Sequence, residues 1–165
     1  MYVDSTYFYT IYPDLQTEGV YEKGCYNAQM YIDDETMTLD GVRKLKEAFP
    51  TDTDDVERVK RCWCELCKAA YLVDKEKDAI ASASSLTEIG GRIAPSIVTS
   101  ISSGSESISF GGTNASNYES EYTKAAKSSE GLTALIRSIT RMYLAGIRDA
   151  NGVNLLYRGL YPYCV

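Results

Sequence analysis

The sequence predicts a mainly α-helical fold, a small helical bundle with a protruding β-hairpin and an extended C-terminal arm. Three observations predict it. Val56, Val59, Trp63, Leu66, Ala70 and Val73 recur at spacings of 3, 4, 3, 4 and 3, which lays one apolar stripe along a helix. Leu132, Leu135, Ile136, Ile139, Met142, Tyr143 and Gly146 form a second such face within Glu130–Ile147. Between the two, residues 96–117 are rich in Ser and Gly and hold two short β-branched runs, Ile97–Ile101 and Ser107–Phe110, around a turn. There Ile108 and Phe110 alternate with Ser107 and Ser109, the period of a half-exposed strand.

The elements follow in order. Residues 1–17, with Tyr2, Tyr7, Phe8, Tyr9 and Tyr12 before Pro13, read as an irregular or short extended arm. Glu18–Ile32 reads as a first helix weakened by Gly19 and Gly24, and Asp33-Asp34-Glu35 breaks it. Asp40 can cap a short helix from Gly41 to Phe49, stopped by Pro50. Thr53 or Asp54 starts the long striped helix, with acidic residues in its first turn, and a continuing or second helix runs from Asp74 to about Ile89 before Gly90-Gly91 and Pro95. The Ser/Gly hairpin exposes Ser102, Ser103, Gly104, Ser105 and Glu106 at its rim; the alternative is a flexible linker. In the last helix, Arg137, Arg141 and Arg148 are spaced 4 and 7 apart and line up as a basic face opposite the apolar one, or as a plain solvated face. The remaining residues to Val165 are too apolar for a free terminus and too few for a core of their own, so they lie on this domain or on another subunit. Residues 1–95 thus make the N-terminal helical part of a single domain, 96–129 the hairpin and a Ser/Thr-rich loop, and 130–165 the long C-terminal helix plus a docking tail.

The 165 residues suit one compact domain, and 44% hydrophobic residues suit a globular chain. There is no histidine, which excludes Ser-His-Asp triads, Cys-His dyads and His-ligated zinc. No apolar run reaches the ~18 residues of a membrane span, and the opening residues show no leader pattern, so the expectation is a chain that stays in the cytosol of the cell that makes it. Charge is uneven: residues 1–57 carry 13 acidic and 4 basic side chains, whereas 131–165 carry four arginines against Asp149 alone. Such asymmetry serves either internal pairing or head-to-tail contact between copies. The net charge of −6 opposes strong binding to nucleic-acid phosphates. The 14 tyrosines suit partly wet interfaces or the boundary of a core.

Cys62, Cys64 and Cys67 are the one cluster with the look of a metal or redox site. On a straight helix, however, Cys62 and Cys67 flank the buried stripe on opposite sides while Cys64 points to the polar face, so three thiolates cannot converge. The Cys64–Cys67 spacing is that of redox motifs, but those sit at a helix start after a strand. Structural or free thiols are the reading for these three and for Cys25 and Cys164. No phosphate loop, metalloprotease motif, nucleophile elbow or Ca loop occurs, so no catalytic residue, metal or cofactor is assigned and the chain reads as a non-enzyme.

Three stretches resemble the head–tail connector (adaptor, or head-completion) proteins of tailed phages and prophages. They are the opening Met1-Tyr-Val-Asp-Ser-Thr-Tyr-Phe-Tyr9, the central Ile97-Val-Thr-Ser-Ile-Ser-Ser-Gly-Ser-Glu-Ser-Ile-Ser-Phe110, and above all Asn154-Leu-Leu-Tyr-Arg-Gly-Leu160, close to a Leu-Leu-Tyr-Arg-Gly-Val ending of that family. The resemblance implies a structural protein of the virion neck, assembled in the host cytoplasm as a ring of about twelve copies. Its partners would be the portal, a tail or stopper protein, and genomic DNA passing through the lumen without sequence-specific binding. Leu155, Leu156, Tyr157, Arg158, Gly159, Leu160 and Tyr161 would then meet the portal or a neighbouring subunit, Arg158 through a carboxylate and Gly159 through a tight bend. The hairpin would face the lumen or the next ring. Another neck component (a stopper or tail terminator) and a small Cys-based zinc or redox module are the alternatives.

Overall fold

The computed structural model describes residues 1–85, 100–103, 106–109 and 120–161 and is mainly helical. Its elements are α1 (Ser5–Ile11), a 3-10 helix (Pro13–Glu18), α2 (Val20–Glu35), α3 (Lys44–Glu47), α4 (Thr53–Ser85), strands β1 (Ser100–Ser103) and β2 (Glu106–Ser109), α5 (Glu121–Lys127) and α6 (Ser129–Leu144). The core gathers around α4: Val59, Trp63, Leu66, Ala70 and Val73 of the predicted stripe are all buried, and Val56 is half-buried at its start. The 33 residues of α4 form one continuous helix, so no second helix begins at Asp74. Its expected last turn, residues 86–89, lies outside the described residues.

The N-terminal arm is helical, contrary to its sequence reading. Asp4 caps α1 by accepting from the Tyr7 amide at 2.8 Å, and Phe8 is buried under Tyr12 and Tyr21, which in turn meets Trp63 at 5.7 Å between ring centroids. Tyrosine and threonine are weak helix formers, so packing rather than propensity makes this helix. The phenols around it are tied to acids at the core boundary: Tyr2 to Asp33 at 2.7 Å, Tyr9 to Glu22 at 2.7 Å and Tyr12 to Glu65. Most of the described tyrosines therefore serve the boundary inside one chain, although Tyr26 and Tyr157 stand exposed.

Asp33-Asp34-Glu35 does not break α2; it is its last turn. Asp33 is buried because Lys46 at 2.9 Å, Tyr2 and Gln29 supply its partners. Gly24 marks the crossing of α2 over α4, where a Cβ would stand 2.3 Å from the Cys67 carbonyl oxygen. The short helix predicted from Gly41 to Phe49 contracts to α3, preceded by the Met37↔Arg43 bridge.

In the segment 96–129, β1 and β2 pair antiparallel with Ile101 opposite Ile108. The predicted rim residues Gly104 and Ser105 lie outside the described residues, as do the side chains of Ser102, Ser103 and Glu106. The end of this segment is not loop but α5, capped by Ser120 accepting from the Thr123 amide at 3.0 Å and tied to α4 through Thr123 and Glu76. Ser128 ends α5 and caps α6, accepting from the Gly131 amide. Ala125 and Leu135 then share a small second core with Ala69 and Val73 of α4. Met142, expected on the apolar face of α6, is exposed instead, and α6 stops short of Gly146.

Beyond α6 the chain folds back on itself. Leu155 donates its amide to the Ile147 carbonyl at 2.9 Å, and the turn between them is held by Asp149 Oδ1, which accepts from the Asn151 and Val153 amides. Leu155, Ile147 and Leu144 are fully buried in the main core. Lys44 is buried beside them and donates from Nζ to the Asn154 carbonyl at 2.8 Å and to the Tyr157 carbonyl. Burial pushes its ammonium down to about 8, with Asp149 opposing the shift and Arg158 adding to it.

Candidate functional site

Three elements meet at a half-open cleft of about 260 Å³ lined by Glu35, Arg137, Arg141, Leu156 and Arg158. The last turn of α2 brings Glu35, successive turns of α6 bring Arg137 and Arg141, and the tail brings Leu156 and Arg158. Glu35 Oε2 takes Arg158 Nη2 at 2.8 Å, and its Oε1 stands 3.6 Å from Arg137 Nε. Arg141 makes no ion pair among the described residues. Two guanidiniums thus hold one carboxylate and a third lines the same cleft, in a place where the wall of the bundle limits solvent screening.

The tail that supplies Arg158 also meets the loop between α2 and α3. Leu39 donates its amide to the Arg158 carbonyl at 3.1 Å, and the Tyr161 amide reaches Asp40, so the 38–41 loop runs along the tail. There Leu39 is 82% exposed, Tyr157 54% and Leu160 51%. Isolated exposed leucines need no explanation, but three large apolar side chains exposed on two segments that touch each other have the composition of a docking surface.

The tail residues predicted to face a partner therefore divide. Leu155 is withdrawn into its own core and cannot be an interface residue; the expected insertion is corrected by the amide pairing with Ile147 and by complete burial. Leu156 is half-buried in the cleft wall, Arg158 pairs within the chain, and Tyr161 is half-buried with its hydroxyl accepting from Asn151 Nδ2 at 2.7 Å. Gly159 makes no left-handed bend. Instead the Tyr157 ring lies over it, within 2.5 Å of where a Cβ would be. Only Tyr157 and Leu160 present substantial apolar surface outward. Of the basic face, Arg137 and Arg141 share the cleft, while Arg148 is exposed on the turn bridged to Asn154 and does not line it. Glu35, Lys44 and Leu39 were missed; the first two gain their roles from contacts more than a hundred residues away, and nothing in their neighbours signals that.

The cysteine cluster is corrected in one respect. Cys64 does not point to a polar face: Cys62, Cys64 and Cys67 are all fully buried, the side that carries Cys64 being covered by α1. Burial pushes the Cys64 thiol up to about 12, and Cys62 and Cys67 higher still, which keeps all three protonated near neutrality. Among the described residues, no three His, Cys, Asp or Glu side chains gather into a metal-ligand group. Cys164 lies outside the described residues. Among those residues, too, no helix is long and apolar enough to cross a membrane.

Burial, reinforced by Asp33 and Glu65, also raises the Tyr2 and Tyr12 phenols well above their ordinary range. Groups with folded pKa values above their unfolded ones stabilise fully below the unfolded value and cease to do so as pH rises through the folded one. For these thiols and phenols the loss begins at about pH 9–10. Lys44 acts with the opposite sign: its lowered value costs stability below about 8, and the cost is relieved between there and 10.5. Three thiols and two phenols outweigh one lysine, so Tm should fall steeply above about pH 10. In a Cys25→Ser, Cys164→Ser variant, which keeps only these three thiols, thiolate absorbance should appear only together with loss of helix. Thiolate titrating near pH 9 in that folded variant would contradict the buried placement of the cluster.

Compared with known proteins, the chain matches no family model, no curated protein and no solved structure.

Proposed function

We propose that this chain is a structural subunit of a tailed-phage neck, a head–tail connector that docks on the portal as a ring and links the DNA-filled head to the tail. The proposal rests on the resemblance of residues 1–9, 97–110 and 154–160 to that family. The observation that carries it is the way the most specific of those segments is divided. Leu155 anchors the tail in the core, Arg158 joins the cleft, and Tyr157 and Leu160 stand outward beside Leu39. A segment so anchored presents its outer side chains without the ordering cost of a loose arm. In this reading β1 and β2 form the arm that meets the lumen or the next ring, the acidic N-terminal third faces the basic end of a neighbour, and no cofactor is used. The predominance of helix favours an adaptor over a stopper or tail terminator, for which the family analogy expects more strand.

The test is co-assembly with portal rings, followed by sedimentation or native mass spectrometry at several protein concentrations. Leu160→Asp should leave Tm unchanged, because the side chain is already half exposed, and should weaken portal association by about tenfold or more. Wild-type protein that ignores the portal, or a Leu160→Asp chain that binds as well as wild type, would overturn the proposal.

A further inference from the structure

The docking surface holds one of its side chains in a way that the neck reading does not specify. Tyr157 is 54% exposed, yet the phenol end of its ring lies on the bare backbone of Gly159. A Cβ at Gly159 would fall within 2.5 Å of the phenol oxygen and of two ring carbons, and these are the nearest atoms it would meet. The backbone on either side of this contact is set. The Tyr157 amide donates to the Asn154 carbonyl at 3.1 Å and its carbonyl accepts from Lys44 Nζ. The Arg158 carbonyl accepts from the Leu39 amide at 3.1 Å, and the Arg158 side chain holds Glu35. Glycine is not needed at 159 for its backbone, which is not left-handed. What the missing side chain provides is room for the ring.

We propose that Gly159 is a positioning residue of the docking surface: it seats the Tyr157 phenol against the tail, so that the surface has its shape before the portal arrives. The inference rests on the neck reading and names the residue that sets that contact. A ring already seated has less freedom to lose on binding than one that sweeps through solvent. Stability and docking separate at this position. The methyl of Gly159→Ala would meet an exposed side chain that can swing into water, whereas the methyl of a Gly24 variant would meet the backbone of α4. The alanine should therefore move the ring and spare the fold.

Two measurements test this. In the isolated full chain, the Gly159 Hα signals in NMR should stand away from their positions in Tyr157→Leu, where no ring covers them. In co-assembly with portal rings, followed by sedimentation, Gly159→Ala should keep the wild-type Tm and bind about tenfold more weakly. Tyr157→Ala should lose at least as much, and adding Gly159→Ala to it should cost nothing further, because no ring remains to be seated. A glycine with a merely structural role would lower Tm and lose affinity in both backgrounds. Full affinity in Gly159→Ala, equal losses in the two backgrounds, or Gly159 signals indifferent to the ring would each overturn the inference and leave the neck reading standing. Wild-type chain that ignores the portal would overturn both.

Discussion

Replacing Gly24 by alanine is expected to destabilise the protein by about 3 kcal/mol, although the same change in an exposed helix would stabilise it by about 1. The two effects have opposite sign, so the measurement decides between them. In α2 the new methyl would stand 2.3 Å from the Cys67 carbonyl oxygen and 3.1 Å from its carbonyl carbon. Those are backbone atoms of α4, deep in the core, and no rotamer change relieves the clash; the helices must separate. Separation at this crossing loosens Val20, Ala28 and Trp63 together, all of them fully buried. Gly24→Val should be worse, leaving little folded protein against a total stability of ~5–15 kcal/mol. Urea unfolding of the alanine variant checks the argument. A midpoint at or above that of wild type would mean that α2 and α4 do not pack through this glycine.

Removing residues 154–165 is expected to abolish folding rather than leave a soluble bundle that merely fails to assemble. Leu155 alone accounts for much of this, since truncating a buried leucine to alanine costs about 2–5 kcal/mol. The deletion also strips the Asn154 and Tyr157 carbonyls from the Lys44 ammonium, which is left in the core with its nearest acceptors gone. Leu155→Ala and Leu160→Asp separate the two halves of the tail. The first should lower Tm by several degrees, about 4 °C or less per kcal/mol for a chain of this size, and the second should not move it. Circular dichroism melts of both variants decide the matter. A stable, helical chain lacking 154–165 would show that the tail packs elsewhere.

What could be read from the sequence was what depends on near neighbours. The stripe Val59–Val73 follows from 3- and 4-residue spacings of large side chains and is buried as those spacings require, whereas the same spacings in α6 bury Leu135, half-bury Leu132, Ile136, Ile139 and Tyr143, and leave Met142 exposed. Helix α1 was illegible because its residues favour strand or coil, and only Phe8 settling under Tyr12 and Tyr21 makes the helix pay. The cap at Asp4 with Phe8 and Ile11 following was the available signal. Helix α5 buries little more than Ala125, too faint a period to stand out in a Ser-rich stretch. The acid run at 33–35 looked like a helix breaker because its partners Lys46, Tyr2 and Arg158 are distant in sequence. The cleft was half legible for the same reason. Arg137 and Arg141 form a visible row, but Glu35, which draws Arg137 and Arg158 together, belongs to another helix.

The clasp of the tail has a mechanical corollary. A tug applied at Tyr161 would meet its own bonds to Asn151 and Asp40 first, then the Arg158–Glu35 bridge, then the Lys44 tether, then the Leu155 plug, all within seven residues. Fasteners so closely spaced leave little slack between one and the next, so this end of the tail should behave as a stiff lug and not as a spring. Strain borne there passes directly into the end of α2 and into α3, sparing α6 until the plug gives way.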